Sequence, residues 1–184
     1  MVSGQVSNEL ELNVAASDAW GLYGTLGLPK LIEEGLSSVI KKIEVEEGDG
    51  GLGTVLQVLY HPGAGPTDYK EKFTKIDNEN RIKEVETIEG GYLDLGFTLY
   101  RIRFEVIEKG SDSSIIKSKI EYELKPEAEA NVSLVSIQPY AKIAQLAKKQ
   151  LDDSKEVSEK HSSLHQELLP TDIVSTKYIP ESHT

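Results

Sequence analysis

The feature that most constrains the fold is a long run, residues 39–124, in which apolar and polar side chains alternate. Alternation with a period of two is typical of strands, because successive side chains point to opposite faces. Short segments rich in Gly, Asp and Asn interrupt the run, and these residues favour tight turns. The sequence therefore predicts six strands joined by hairpins in an antiparallel sheet. The strands are VIKKIEVEEG, GTVLQVLYHPG, DYKEKFTKI, RIKEVETIEGG, TLYRIRFEVIEKG and SIIKSKIEYEL.

Other patterns flank this run. Residues 5–14 alternate as a further strand, and two short helices are predicted after it, the second with Pro29 near its start. From Pro126 onward the period becomes helical, with Pro139 at a kink, a break or the first turn of a later helix. The apolar stripe of that last helix consists of Tyr140, Ile143, Leu146, Ala147 and Leu151.

The order of elements indicates the fold class. One strand, two short helices, about six strands and one long helix are segregated along the chain, which favours α+β over α/β. A strongly curved sheet wrapped on one long helix can enclose space between them. The sequence thus predicts a pocket lined from both sides.

Composition excludes several functions. The net charge of −11 and the pI of about 4.9 disfavour binding to nucleic acid or to an anionic membrane. The chain has no cysteine, which removes disulfides, thiolate catalysis and thiolate metal sites. Neither a signal peptide nor a membrane span is expected, so a soluble, cytoplasmic protein is predicted.

The chain is divided into two parts by its patterning. Residues 1–155 are predicted to form one ligand-binding or catalytic domain. Beyond Leu151 the apolar stripe fades, and residues 156–184 are predicted to be an acidic, disordered tail.

Two motifs are weak. Gly48, Gly50 and Gly53 have the spacing of a dinucleotide fingerprint, but a strand-like segment follows them where the fingerprint needs a helix. A glycine-rich hairpin loop is the favoured interpretation. The four histidines form no HExxH pattern, and no nucleophile elbow is present.

The stretch YKEKFTKIDNENRIKEV holds the most informative charges. Tyr69, Glu71 and Phe73 share one face of their strand, which is the better candidate for the inner face because it carries the aromatics. A loop of residues 77–79 would place Phe73 opposite Lys83, and Lys83 roughly 7–8 Å from Glu71 on the diagonal. The alternative is that both charges lie on the outer face in solvent, since charged residues are rarely buried.

Three segments carry a resemblance to a known family. VEEGDGGLGT, YKEKF and IEGGYLDLG are similar to the norcoclaurine synthases, plant enzymes of the birch pollen allergen (Bet v 1) and pathogenesis-related class 10 superfamily. The resemblance runs from about Asn8 to Leu151. It implies a seven-stranded antiparallel sheet around a long C-terminal helix, with two short helices and a hydrophobic cavity between sheet and helix.

The resemblance also implies a reaction. Members of the family condense dopamine with 4-hydroxyphenylacetaldehyde in a Pictet–Spengler reaction, with neither metal nor organic cofactor. The family's motif tyrosine matches Tyr69, its catalytic base matches Glu71, and its hydrogen-bonding lysine matches Lys83. One family aspartate falls at Ile102, which can neither hold the substrate amine nor act as an acid.

Two functions therefore stand as hypotheses. The first is a norcoclaurine synthase-like lyase of plant alkaloid biosynthesis, with Tyr69, Glu71 and Lys83 as catalytic residues. The second is a non-catalytic carrier or sensor for a hydrophobic plant metabolite or hormone, related to stress or defence. The apolar residue Ile102 at the position of the family aspartate supports this second hypothesis. Either would bind a small hydrophobic or phenolic ligand, as a monomer or dimer. The residues expected to line the cavity are Phe73, Phe97, Tyr100, Ile102, Phe104 and Tyr140.

Overall fold

The computed structural model describes residues 1–167. Seven strands and three α-helices follow the predicted order, which confirms the α+β class. Their bounds are β1 Val2–Leu12, α1 Ala16–Tyr23, α2 Gly27–Gly35, β2 Ile40–Glu47, β3 Val55–Tyr60, β4 Tyr69–Asp77, β5 Ile82–Gly90, β6 Phe97–Gly110, β7 Ser113–Leu124 and α3 Gln138–Glu167. Two 3-10 helices, Gly91–Leu95 and Pro126–Leu134, precede β6 and α3.

The strands form one antiparallel sheet in the order β1-β7-β6-β5-β4-β3-β2. Each strand from β2 to β7 pairs with its neighbour in the chain, as expected for hairpins, while β1 pairs with the last strand. Buried and half-buried residues alternate strictly along β7, which agrees with the period of two in its sequence. The sheet therefore presents one apolar face to the interior.

Helix α3 lies against that face. Ile143, Ala144 and Ala147 are buried, and their spacing of one and three residues places them on one side of the helix. Pro139 lies in the first turn, where its missing N–H costs no helical hydrogen bond. The first-turn alternative for this proline is thus the one that the structure shows.

The sequence pattern placed the start of the disordered tail, at residue 156, too early in the chain. Residues 156–167 continue α3, and the side chains of residues 156–166 are exposed. An ion pair between Glu156 and Lys160, one turn apart, supports this part of the helix in solvent. The rest of the predicted tail, residues 168–184, lies outside the described residues. The ammonium of Lys155 donates a hydrogen bond to the backbone carbonyl of Asn13 at 2.8 Å, so contact with the domain reaches that residue.

The glycine-rich segment forms the β2–β3 turn. Gly48, Gly50 and Gly53 all have positive φ, which glycine adopts without a steric penalty. Strand β3 follows this turn, so the segment lacks the helix N-terminus that a dinucleotide site requires. No helix within residues 1–167 has the length and apolar character needed to cross a membrane.

Candidate functional site

A cavity of about 240 Å³ lies between the concave face of the sheet, α2 and α3. Its wall is mainly apolar but includes five tyrosines and two charged side chains, those of Glu71 and Lys83. Strands β3 to β6 supply most of the polar residues, and the start of α3 closes the opposite side. The polar and aromatic lining residues are Tyr60, Tyr69, Glu71, Phe73, Lys83, Thr87, Tyr92, Tyr100, Phe104, Ser136 and Tyr140.

Strand β4 places three predicted residues in this wall. Tyr69, Glu71 and Phe73 all line the cavity, which confirms that their face of β4 is the inner one. Lys83 on β5 lines it as well, so both charges point inward and the solvent-exposed alternative is wrong.

The predicted register between these strands is wrong. Lys83 pairs with Ile76, and Phe73 pairs with Val85. The connecting turn is longer than predicted: its residues are 78–81, and the Asp77 carboxylate stabilises it by accepting hydrogen bonds from the backbone and side-chain amides of Asn80. The pairing of β4 with β5 has an irregularity between Phe73 and Lys75, which shifts the register by one residue. As a result, Phe73 on β4 and Lys83 on β5 both face the cavity.

Lys83 is the most deeply buried charged side chain of the site. Its side chain is 1% exposed, and its Nζ donates hydrogen bonds to the backbone carbonyls of Tyr23 at 3.2 Å and Thr25 at 3.5 Å. The same ammonium lies 3.8 Å from the centroid of the Phe73 ring, a cation–π contact. Burial lowers the pKa of Lys83 to about 8, and the nearby Glu71 carboxylate partly opposes that shift.

Glu71 is half-buried beside this ammonium. Desolvation raises the pKa of its carboxyl to about 7, and the positive charge of Lys83 acts in the opposite direction. Among residues 1–167, no ion pair within 4.0 Å joins the two groups. A carboxylate that is unpaired and titrates near neutral pH is well suited to accept a proton.

The tyrosines present hydroxyl groups to the same space. Burial raises the pKa of Tyr69 and of Tyr140 well above the ordinary value, and raises that of Tyr60 to about 12. Their hydroxyls therefore stay protonated at neutral pH and can donate hydrogen bonds. The rings of Tyr92 and Tyr100 stack with centroids 4.0 Å apart.

Five of the six residues expected to line the cavity do so, including Ile102, which is 4% exposed. Phe97 is the exception and is a correction. It lies at the first position of β6, where its ring packs edge-on against Tyr92, Tyr100 and Tyr122, behind the cavity wall. Sequence reasoning missed Tyr60 and Tyr92. Tyr60 ends an alternating strand, which is a usable signal, whereas Tyr92 lies in a 3-10 helix and has none.

The fold and the site together define a class: an α+β protein whose curved sheet and long helix enclose a mainly apolar cavity lined by one carboxyl group and one ammonium group. The sequence of residues 1–151 matches the pathogenesis-related protein Bet v 1 family, and the chain belongs to that family. Among residues 1–167, no group of three or more His, Cys, Asp or Glu residues could hold a metal ion.

Within the family the chain is similar to plant alkaloid synthases. It is 50% identical to the norbelladine synthase of Narcissus pseudonarcissus over 140 residues, which cover 76% of this chain and 86% of that protein. It is 46% identical to the S-norcoclaurine synthase of Thalictrum flavum subsp. glaucum over 126 residues, which cover 68% of this chain but only 60% of that protein's length.

A solved structure of a relative contains ligands. The norcoclaurine synthase from Thalictrum flavum in complex with dopamine and hydroxybenzaldehyde superposes with a TM-score of 0.76 at 41% identity, over 83% of this chain and 88% of that chain. The resemblance to norcoclaurine synthases inferred from sequence motifs is thereby confirmed at the level of fold and family.

Proposed function

We propose that this protein condenses an arylethylamine with an aldehyde inside the cavity and closes the product in a Pictet–Spengler reaction, with dopamine and 4-hydroxyphenylacetaldehyde as the candidate pair. The observation that carries the proposal is the placement of the Glu71 carboxylate and the Lys83 ammonium in one largely apolar cavity, without an ion pair between them. Similarity to synthases of the same family supports it.

The reaction needs proton transfers at two stages. The substrate amine adds to the aldehyde carbon, and the resulting carbinolamine loses water to give an iminium ion. The aromatic ring then attacks the iminium carbon, and loss of a ring proton restores aromaticity. Lys83 would donate a hydrogen bond to the aldehyde oxygen and to the departing water, and Glu71 would accept the ring proton.

Positioning would contribute as well. Tyr69 would orient a polar group of the substrate through its hydroxyl, which burial keeps protonated. Holding both substrates in one cavity makes their reaction effectively unimolecular. This effect lowers the activation free energy by about 7–11 kcal/mol in favourable cases. The enclosed wall also excludes bulk water, which strengthens the hydrogen bonds made by the two charged groups.

The pH dependence follows from the two charged groups. The proposed chemistry needs Glu71 deprotonated, so kcat/KM should rise with pH through about 7, and it needs Lys83 protonated, so kcat/KM should fall above about 8. We expect a narrow bell-shaped profile with its maximum between those values, measured as kcat/KM, which reports the titration of groups in the protein without substrate. A profile that is flat from pH 6 to 9 would contradict the assignment of the two groups.

Ile102 stands at the position of the family aspartate, and this residue can be tested directly. Ile102→Asp should raise the condensation rate by about tenfold, because it restores a carboxylate to the cavity wall. Ile102→Asn is the matched control, since it has nearly the same shape but no acid group. An Asp variant that folds, as judged by circular dichroism, and gains nothing over the Asn variant would count against this residue match.

A second candidate function is a non-catalytic carrier for a hydrophobic or phenolic metabolite. Ile102 and the mainly apolar wall favour it, because neither contributes to acid–base chemistry. In that case ligands would bind with measurable heat, while no product would form above the uncatalysed rate.

The deciding assay incubates the protein with dopamine and an aldehyde and identifies the products by mass spectrometry. Two aldehydes are needed because relatives at 40–50% identity bear two different product names. They are 4-hydroxyphenylacetaldehyde and hydroxybenzaldehyde, and the second is present with dopamine in the solved structure of a relative. A ring-closed product above the rate with heat-denatured protein supports the proposal. An imine alone, trapped as a secondary amine with borohydride, would limit the function to condensation.

The cytoplasmic location and the oligomeric state remain predictions.

A further inference from the structure

The partners of Lys83 lie outside the cavity wall. Its ammonium is held by the backbone carbonyls of Tyr23 and Thr25, and neither residue lines the cavity. Tyr23 is the last residue of α1, and Thr25 belongs to the short turn that leads to α2. The carbonyls at the C-terminal end of a helix have no helical partner and carry partial negative charge, so they attract a cation.

The side chain of Thr25 fixes this turn. Its hydroxyl donates to the backbone carbonyl of Gly21 at 2.8 Å and approaches that of Leu22 at 3.3 Å, both in the last turn of α1. The same oxygen accepts a hydrogen bond from the backbone N–H of Gly27, the first residue of α2, at 3.1 Å. One hydroxyl therefore joins the end of one helix to the start of the next.

A second contact anchors α1 to the hairpin that carries Lys83. The indole N–H of Trp20 donates a hydrogen bond to the side-chain carbonyl of Asn78, in the β4–β5 turn, at 3.0 Å. The Tyr23 ring is fully buried and packs edge-on against Phe104, with centroids 5.3 Å apart. The carbonyl of Tyr23 is thus held from the helix side and from the sheet side.

We propose that Thr25 is a positioning residue: its hydroxyl fixes the α1–α2 turn so that the carbonyls of Tyr23 and Thr25 hold the Lys83 ammonium in place. The amine then stays protonated and available as a hydrogen-bond donor at the cavity wall. The consequence for catalysis rests on the proposed function, whereas the effect on Lys83 itself does not.

The proton affinity of Lys83 reports on this arrangement. Carbonyl acceptors favour the protonated amine, so a turn that no longer aims them at Nζ should let the pKa of Lys83 fall further below its ordinary value. Among residues 1–167, Glu71 is the only carboxyl group that lines the cavity, and its charge acts on Lys83. The other titratable groups of the cavity wall are five tyrosines. They lie on β3, β4, the first 3-10 helix, β6 and α3, and are Tyr60, Tyr69, Tyr92, Tyr100 and Tyr140 in that order.

The test is an NMR titration of protein labelled with 13C and 15N in lysine, without substrate, with the Lys83 signal assigned by its loss in Lys83→Met. Thr25→Val removes the hydroxyl but keeps the shape, and Thr25→Ala serves if the valine does not fold. Thr25→Ser should restore the contact. Thr74→Val is the matched control, because the Thr74 hydroxyl also donates to a backbone carbonyl, that of Glu84, but is exposed on the outer face of β4.

We expect the midpoint of the Lys83 titration to fall by about 0.5–1 pH unit in Thr25→Val or Thr25→Ala and to stay at the wild-type value in Thr25→Ser and Thr74→Val. A folded Thr25 variant with an unchanged midpoint would overturn the proposal, even if its melting temperature fell, because that result describes a purely structural threonine.

Activity provides an independent reading. If the proposed condensation is correct, the alkaline limb of the kcat/KM profile should move to lower pH by the same amount in Thr25→Val. If the protein proves to be a carrier, turnover is absent already in the wild type, while the NMR midpoint still shifts. The two failures are therefore distinguishable.

Discussion

Glu71→Gln should lower kcat by about 10²- to 10⁴-fold, the range that positioned general bases contribute. The amide keeps the size of the carboxyl group and can still form hydrogen bonds, but it cannot take the ring proton. Its effect should be confined to the chemical step, so KM should change little. Steady-state kinetics with dopamine and 4-hydroxyphenylacetaldehyde measure both parameters.

The control for this change is Glu89→Gln. Glu89 lies on β5, its side chain is 71% exposed, and its only described ion pair is a long one of 3.8 Å with Lys70. The Glu89 variant should keep the wild-type kcat. A Glu71 variant that retains kcat within a few-fold of wild type would remove Glu71 from the mechanism.

Lys83→Met should lower kcat by about 10²- to 10³-fold, as expected when a hydrogen-bond donor to a reacting oxygen is lost from a water-excluded site. Methionine fills much of the same volume without the charge. The melting temperature should stay within a few degrees of wild type, because relief of the desolvation of the ammonium offsets the loss of its hydrogen bonds to two carbonyls. The variant would thus lose activity while keeping its thermal stability.

The control is Lys72→Met, which removes an ammonium from the exposed outer face of β4. It should leave both kcat and melting temperature near wild type. If Lys83→Met unfolds the protein while Lys72→Met does not, the ammonium is needed for folding. If it folds and remains active, Lys83 has no part in the chemistry.

The fold was predictable because its signals are local. Alternation in the middle of β6 and throughout β7, and an apolar stripe on α3, each specify which face is buried, whatever the rest of the chain does. The β4–β5 pair shows the limit. The face of β4 could be predicted from Tyr69 and Phe73, but the register could not, since it depends on a turn held by Asp77 and on an irregularity that leaves no mark in the sequence.

The site was predictable only in part, for the same reason. Glu71 and Lys83 were identified from the resemblance and from their place in the strands. The groups that hold Lys83 are backbone carbonyls about 60 residues away in the chain, and a backbone carbonyl carries no residue-specific signal. Phe97 shows the converse error, because the sequence predicted a buried aromatic residue but not which side of the wall it occupies.

The central claim is that Glu71 and Lys83 direct the condensation within one chiral cavity. The most direct test is chiral chromatography of the tetrahydroisoquinoline formed from dopamine and 4-hydroxyphenylacetaldehyde, since the uncatalysed reaction gives equal amounts of both enantiomers. The proposal predicts a clear excess of one enantiomer with the wild-type protein and its loss in Glu71→Gln and Lys83→Met. Racemic product at the uncatalysed rate with the wild-type protein would contradict it.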